Sequence, residues 1–217
     1  SRPTAASSSS LWRASRSSQL LAAKSLHDLD SIKSIQLDVY STKAEWLLET
    51  IRDFEITGDR EREAMDLLND WDRRMDKDRP EPLLNATFEL ALQQELINNR
   101  AAVLAGTNSN VIRLQRILER DHVWCDDPET VDTETCGEAV NAALGAAVAR
   151  LSDTHGSDMS KWRWGDEHIV EFDALYSWSA NPVLRDWTRT EAAASGSEAT
   201  LNVAAMSRPS DSKSDLL

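Results

Sequence analysis

Apolar side chains recur every three or four residues along most of this chain, the spacing that places them on one face of an α-helix. The spacing predicts helices at 15–24, 28–41, 42–57, 59–75, 83–105, 110–118 and 133–151. Gly58 and the prolines Pro80 and Pro82 mark breaks between them. We therefore expect a mainly α structure. In the second helix, Asp28 or Asp30 is the expected N-cap, and the residues expected to face inward are Ile32, Ile35, Gln36 and Val39.

The composition changes towards the C-terminus. Small polar residues predominate from Thr188 onwards, and one β-prone run lies among them at 200–203. A lone strand cannot satisfy its own backbone groups, so it would need partner strands from elsewhere. We expect a disordered start at 1–10, a helical part at 11–187, and a polar tail at 188–217 with one short strand at 200–203.

Charge and hydropathy exclude two classes of partner. The 217 residues include 24 Lys and Arg against 37 Asp and Glu, which gives a net charge of −13. Nucleic acid or an anionic membrane surface would require a basic face. No uncharged apolar run approaches the roughly 20 residues of a membrane helix. We therefore predict no nucleic-acid partner and no membrane partner.

Cys125 and Cys136 enclose a ten-residue segment that contains a proline and several acids. A disulfide across such a segment would contribute on the order of 3 kcal/mol and would place the protein outside the cytosol. Two reduced, buried thiols are the alternative. A metal site with His122 is a third reading, although two Cys and one His do not match a zinc pattern.

His168 and the nearby carboxylates are the other candidates for chemistry. His168 follows Trp164 and Gly165, and no Ser or Cys nucleophile lies near it in a recognisable motif. We interpret it as a hydrogen-bonded, partly buried histidine packed on Trp164. Asp126 and Asp127 lack the glycine turn and alternating oxygen ligands of a calcium loop, so capping and solvation are expected. No metal site is predicted in this chain.

Several short motifs together resemble the penicillin acylase family of N-terminal-nucleophile hydrolases, over roughly residues 11 to 205. In chain order they are Gln36-Leu37-Asp38-Val39-Tyr40-Ser41, Leu67-Leu68-Asn69-Asp70-Trp71-Asp72, Trp124-Cys125-Asp126-Asp127, Glu134-Thr135-Cys136, Trp162-Arg163-Trp164-Gly165 with His168, and Thr200-Leu201-Asn202-Val203. The resemblance implies a four-layer αββα fold made from a precursor that is cut into a small and a large chain. This sequence resembles an interior, mainly helical part of the large chain.

The resemblance also implies a mechanism. A serine at the start of the large chain attacks an amide, and its own α-amino group, with a pKa near ~8, acts as the base. Backbone N–H groups and an asparagine side chain stabilise the oxyanion, and water then clears the acyl-enzyme. Expected substrates are N-acyl compounds such as β-lactam antibiotics, in their biosynthesis or degradation, or acyl-homoserine lactones.

Few of the family's site residues can be assigned here. Ser1 is followed by Arg2-Pro3-Thr4, unlike the family's serine, so the nucleophile and the oxyanion asparagine are expected upstream. Arg13 falls where the family has an arginine near the oxyanion site. Arg16 is an alternative, and a surface arginine at a frayed helix start is the competing reading of Arg13. The chain itself is expected to hold no cofactor, while calcium in the parent stays open.

These expectations describe a fragment that is inactive alone. Its partners would be the rest of the large chain, the small chain and a small N-acyl amide substrate. The family's location implies a periplasmic or secreted protein. The competing class of function is a non-catalytic helical interaction domain built on the same scaffold.

Overall fold

The computed structural model describes residues 8–100, 110–127, 130–173, 183 and 189–203. Most of these residues are helical, which confirms the mainly α prediction. The helices are α1 (Ser8–Ala22), α2 (Leu29–Gln36), α3 (Thr42–Thr50), α4 (Asp59–Asp70), α5 (Glu81–Gln93), a π-helix (Gln94–Arg100), α6 (Asn110–Glu119), a 3-10 turn (His122–Cys125), α7 (Cys136–His155), a second 3-10 turn (Met159–Lys161) and α8 (Trp164–Glu167). Two strands follow, β1 (Ile169–Asp173) and β2 (Arg189–Ala193). None of the helices in these ranges is long and apolar enough to cross a membrane.

The core is centred on α5 and α7, which form the largest helix–helix interface among the described elements. Alanines of α7, such as Ala139 and Ala143, are buried, and so are the large side chains Phe88 and Leu92 of α5. All four belong to one hydrophobic cluster. Complementary packing of small and large side chains lets the two helices approach closely and bury their apolar faces.

Side chains at the N-terminal ends of α2, α3 and α7 accept hydrogen bonds from backbone N–H groups of the first helical turn. Asp28 accepts a hydrogen bond of 2.8 Å from the backbone N–H of Ser31, which confirms Asp28 as the cap of α2. Ser41 caps α3 in the same way. Thr135 and Glu138 form a reciprocal capping box at the start of α7. Each cap satisfies backbone donors that a helix start leaves unpaired.

Two predicted helices end early because their last residues pair with each other. Residues 38–41 and 73–75 lie side by side, linked by an antiparallel bridge between Tyr40 and Arg74. The N–H of Ser41 donates to the carbonyl of Arg73 at 2.9 Å, and the N–H of Met75 donates to the carbonyl of Val39 at 2.9 Å. The predicted helices at 28–41 and 59–75 are therefore too long at their C-terminal ends.

Burial in α2 also differs from the prediction. Ile32 and Gln36 are exposed, so the inward face predicted for this helix is wrong at both positions. At the start of the chain, α1 begins at Ser8, so the disordered start predicted for 1–10 is wrong from Ser8 onwards. The helix predicted at 83–105 begins earlier, at Glu81, and passes into a π-helix. Residues 101–105 lie outside the described residues.

The strands lie where the sequence did not predict them. β1 and β2 form an antiparallel pair, with Ile169 opposite Ala193 and Asp173 opposite Arg189. The strand predicted at 200–203 is wrong, because these residues form irregular bends. The N–H of Asn202 donates to the carbonyl of Asp38 at 2.9 Å instead of to a sheet neighbour.

Local hydrogen bonds explain why 200–203 is not a strand. The Thr200 hydroxyl accepts a 2.8 Å hydrogen bond from the N–H of Ser197 and lies 2.8 Å from the carbonyl of Asn202. Gly196, with φ of 97°, turns the chain and donates its N–H to the carbonyl of Met75 at 2.7 Å. Side-chain bonds of this kind compete with strand pairing. We call residues 195–202 the C-terminal loop.

Candidate functional site

Arg16 on α1 forms a short ion pair with Asp38. Its Nε donates to Oδ2 of Asp38 at 2.6 Å, and the two side chains are only 19% and 8% exposed. The Arg16 guanidinium also lies over the ring of Tyr40, 4.4 Å from the ring centroid. A charge-assisted hydrogen bond and a cation–π contact therefore fix this guanidinium in one orientation.

Tyr40 is itself held in place by Glu45. The phenol donates to Oε1 of Glu45 at 2.6 Å. Burial raises the pKa of Tyr40 to about 12, and the hydrogen bond to Glu45 acts in the same direction against the opposing charge of Arg16. The phenol thus stays neutral at ordinary pH, and its ring face remains a partner for the cation.

Two further arginines, Arg73 and Arg74, follow α4, and Arg74 approaches the carboxylate of Asp38. Nη1 of Arg74 lies 3.6 Å from Oδ1 of Asp38, so Asp38 faces one arginine on each oxygen. Arg73 has a φ of 65°, a left-handed conformation that is uncommon for a side chain of this kind. Its guanidinium donates to the carbonyls of Leu68, at 2.8 Å, and Trp71 at the end of α4. We call Arg16, Asp38, Tyr40 and Arg74 the arginine cluster.

Arg13 and Arg16 differ in how the structure holds them. Arg13 is half-buried, and no hydrogen bond or ion pair joins it to another described residue. Arg16, one helical turn later, has two fixed contacts. The oxyanion-support role of Arg13 stays a prediction. The geometry directs attention to Arg16, because a cation that acts in catalysis must be oriented before the reaction.

A second ion cluster is centred on Lys43 of α3. Nζ of Lys43 is 2.7 Å from Oε1 of Glu89 on α5 and 3.8 Å from Oε1 of Glu198 in the C-terminal loop. Burial lowers the pKa of Lys43, but the attraction of Glu89 outweighs it and the net pKa is raised. Lys43 thus joins three parts of the chain as a charged, buried group.

His168 is a packed histidine, as expected. Its ring stacks on Trp164 with centroids 4.4 Å apart and an interplanar angle of 14°. Nδ1 lies 2.8 Å from the carbonyl oxygen of Ala194, and the ring is buried. The Trp164 indole donates to the carbonyl of Gly196 at 3.0 Å, so this pair attaches α8 to the C-terminal loop.

Cys125 and Cys136 form a disulfide with Cα atoms 4.9 Å apart, which decides among the three readings of the pair. The neighbouring acids cap backbone groups: Oδ1 of Asp126 accepts from the N–H of Glu134 at 3.0 Å, and Oε2 of Glu134 accepts from the N–H of Asp127 at 2.9 Å. Within the described residues, no three His, Cys, Asp or Glu side chains are grouped as metal ligands.

The motifs recognised in the sequence lie at these junctions. Asp38 and Tyr40 of the first motif hold Arg16, and Trp71 of the second donates its indole N–H to the carbonyl of Arg74 at 3.0 Å. Trp162 donates its indole N–H to the carbonyl of Gly156 at 2.8 Å. Sequence reasoning missed the part played by Arg74, because only the Tyr40–Arg74 bridge brings it to Asp38.

These features define a helical scaffold that contains a disulfide and holds an arginine in a fixed orientation. Comparison with protein-family models finds that the penicillin amidase model matches residues 2–214. The chain therefore belongs to the penicillin amidase family, which confirms the resemblance. Family membership indicates an amidase-type function and a hydrolase as the parent protein. A search of curated proteins found no match.

Proposed function

We propose that this chain is part of the large chain of an N-terminal-nucleophile amide hydrolase. The helices would form one outer layer of an αββα core, and the sheets would come from the rest of the large chain and the small chain. The observation that carries the proposal is the fixed guanidinium of Arg16, in a chain that matches the family over residues 2–214.

The proposed reaction is hydrolysis of an amide in a small N-acyl compound. A serine at the start of the large chain would attack the carbonyl carbon and form an acyl-enzyme, and water would release the carboxylic acid. That serine and the oxyanion asparagine would be supplied by residues outside this chain. Candidate substrates are a β-lactam with an acyl side chain and an acyl-homoserine lactone.

Arg16 would act as an oriented cation at the edge of the site. A charge held before the reaction stabilises developing negative charge without reorganisation, which is the advantage of fixed donors over water. Asp38 and Tyr40 would be positioning residues, because they hold the guanidinium through Nε and the ring face. The Cys125–Cys136 disulfide supports a periplasmic or secreted location for the parent. The proposal includes calcium binding by the parent protein, at residues outside this chain.

Hydrolysis of a chromogenic acyl-anilide tests the proposal. The 217-residue chain alone should show no turnover, whereas the parent protein that contains it should release the aniline. In the parent, Arg16→Lys should lower kcat by at least about tenfold, because lysine cannot keep both the Nε contact and the stacked plane. Arg13→Lys provides the comparison for the other candidate.

Three results would contradict this proposal. Turnover by the isolated chain would show that its own residues suffice. An inactive parent would favour the non-catalytic interaction domain. A loss of kcat in Arg13→Lys with none in Arg16→Lys would move the oriented cation to Arg13. Circular dichroism of each variant separates a lost fold from a lost catalytic contribution.

A further inference from the structure

The second helix turns its apolar residues towards solvent. In α2 the side chain of Ser31 is buried, whereas Leu29 is 69% exposed and Ile32 is also exposed. Leu37, which directly follows the helix, is 65% exposed. A surface helix ordinarily buries its apolar stripe against the core of its own chain. The described part of this chain therefore leaves the apolar side of α2 largely uncovered.

The turn before α2 extends this apolar surface. A ring nitrogen of His27 lies 2.9 Å from the carbonyl oxygen of Leu21, so the turn folds back on the end of α1. The side chain of Leu21 is exposed, and that of Leu26, in the turn, is 87% exposed. We call the following five side chains the α1–α2 corner: Leu21, Leu26, Leu29, Ile32 and Leu37.

The size of the α1–α2 corner suits a weak interface between two folded chains. Its exposed area is about that of three whole leucine residues, roughly 500 Å², which lies in the upper part of the range for the largest apolar patch of a monomer. A standard interface buries about 800 Å² on each partner. Exposed polar neighbours, such as Lys33 and Gln36, would supply the remaining area as a rim.

The charges on α2 favour a second copy of this chain as the partner. The helix begins with Asp28 and Asp30, and Lys33 lies towards its end. In two copies of α2 that pack antiparallel about a two-fold axis, the start of each helix lies beside the end of the other. If Leu29 lies opposite Ile32 of the second copy, Lys33 faces the acidic start of that copy. The α2 surface is therefore complementary to itself in charge as well as in apolar character.

Lys33 and Asp30 are available for such a contact. Both side chains are exposed, and their own ion pair is a long contact of 4.0 Å within one helix. The wider charge distribution acts in the same direction. Two chains of net charge −13 repel each other and approach most easily where acids are fewest. Residues 8–27, which precede α2, contain three basic residues and no acid.

We propose that the α1–α2 corner joins two copies of this chain through an antiparallel pair of α2 helices. From the modest apolar area we expect a dissociation constant on the order of 10 µM. The proposal needs only the described surface and does not rest on the proposed function. In the parent protein, the same contact would join two hydrolase molecules.

Sedimentation equilibrium of the 217-residue chain, from about 1 to about 200 µM at constant ionic strength, measures this association. The unaltered chain should pass from monomer to dimer across that range. Leu29→Ser should raise the dissociation constant at least tenfold, because it removes the central apolar contact. Val123→Ser is the matched control, since Val123 is 77% exposed on the 3-10 turn at 122–125 and should leave the dissociation constant unchanged. Circular dichroism shows that each variant keeps its helices.

A charge exchange tests the two-fold arrangement itself. Asp30→Lys and Lys33→Asp should each weaken self-association at least tenfold, because each places like charges opposite one another. An equimolar mixture of the two variants should dimerise as well as the unaltered chain, since opposite charges then face each other again. Non-specific association through exposed leucines would not show this recovery.

The inference is overturned by a chain that stays monomeric at the highest concentration, by an unchanged dissociation constant in Leu29→Ser, or by a mixture that does not recover. Two other occupants of the α1–α2 corner have results of their own. A monomeric chain that cosediments with phosphatidylglycerol vesicles would assign the corner to a lipid surface. A monomeric chain whose α2 amides are protected from hydrogen exchange only within the parent protein would assign it to the rest of the parent.

Discussion

The buried ammonium of Lys43 makes the stability of this fold depend on Glu89. The two side chains are 14% and 11% exposed, and Nζ lies 2.7 Å from Oε1. Glu89→Gln keeps the size of the side chain and removes its charge, which leaves the ammonium in a poorly solvated place. Breaking such a pair costs about 3–5 kcal/mol in free energy of unfolding. We expect about 3 kcal/mol, because Glu198 remains at 3.8 Å.

The pH dependence gives this prediction a sign. The net pKa of Lys43 in the folded chain is raised above its ordinary value, so its stabilising contribution is fully present below that value and is lost as pH rises through the folded pKa. In Glu89→Gln the larger attraction that offsets burial is removed, and only the exposed Glu198 still opposes the burial that lowers the pKa of Lys43, so we expect burial to dominate. The variant should therefore gain stability as pH rises towards about 10.5, while the unaltered chain loses stability above it.

Urea unfolding followed by far-UV circular dichroism measures these free energies, provided that the m-value stays constant. The control is Glu63→Gln, because Glu63 pairs with Arg60 at the same 2.7 Å but the side chains are 56% and 41% exposed. That exposed pair should contribute less than about 1 kcal/mol. The double variant Lys43→Met/Glu89→Gln should be more stable than Glu89→Gln alone. Equal losses in Glu89→Gln and Glu63→Gln would refute the reasoning.

Three further predictions rest on single features. Replacing Cys125 and Cys136 together by Ser should lower the free energy of unfolding by about 3 kcal/mol, and an unchanged urea midpoint would contradict a bridge in solution. Gly196→Ala should cost more than Gly156→Ala in urea unfolding: both have positive φ, but an added Cβ at 196 would lie 2.2 Å from a backbone oxygen, and at 156 it would meet nothing within 4 Å. Absorbance at 295 nm should show a phenol titrating near pH 12 that Tyr40→Phe removes, and a native chain without that step would contradict the burial.

The sequence predicted the helices well where their determinants are local. Apolar spacing and caps such as Asp28 depend on residues within one or two turns, so both can be read from the sequence. Several of the errors fall where distant segments pair. Residues 38–41 leave the helical conformation because residues 73–75 offer them backbone partners, more than thirty residues later in the chain.

The positions of the strands also depend on distant segments, and the sequence did not predict them. Arg189–Ala193 has no β-prone pattern, and it is a strand because β1 lies beside it. Residues 200–203 have the composition of a strand, but the hydroxyl of Thr200 closes local hydrogen bonds within the C-terminal loop. Strand formation depends on the partner as much as on the residue types, so composition alone misplaced it.

The candidate site was predictable in part. The Arg13–Arg16 region was identified through a resemblance, and the motif that contains Asp38 and Tyr40 was identified separately. No pattern in the sequence predicts the contact between these two regions. Arg16 and Asp38 are 22 residues apart and meet only because α1 packs on the segment after α2. Arg74 is further still, and no spacing rule relates it to Arg16.

The residues by which this chain resembles its family are mostly connectors between helices, and this affects how their variants should be interpreted. Asp38 holds α1 through Arg16 and also accepts a backbone hydrogen bond from Asn202 in the C-terminal loop. Trp164 links α8 to the same loop. Because such residues stabilise the scaffold, a substitution there lowers activity first by unfolding the chain. A kinetic effect assigned to the arginine cluster is therefore convincing only in variants such as Arg74→Gln, whose side chain contributes little to that scaffold.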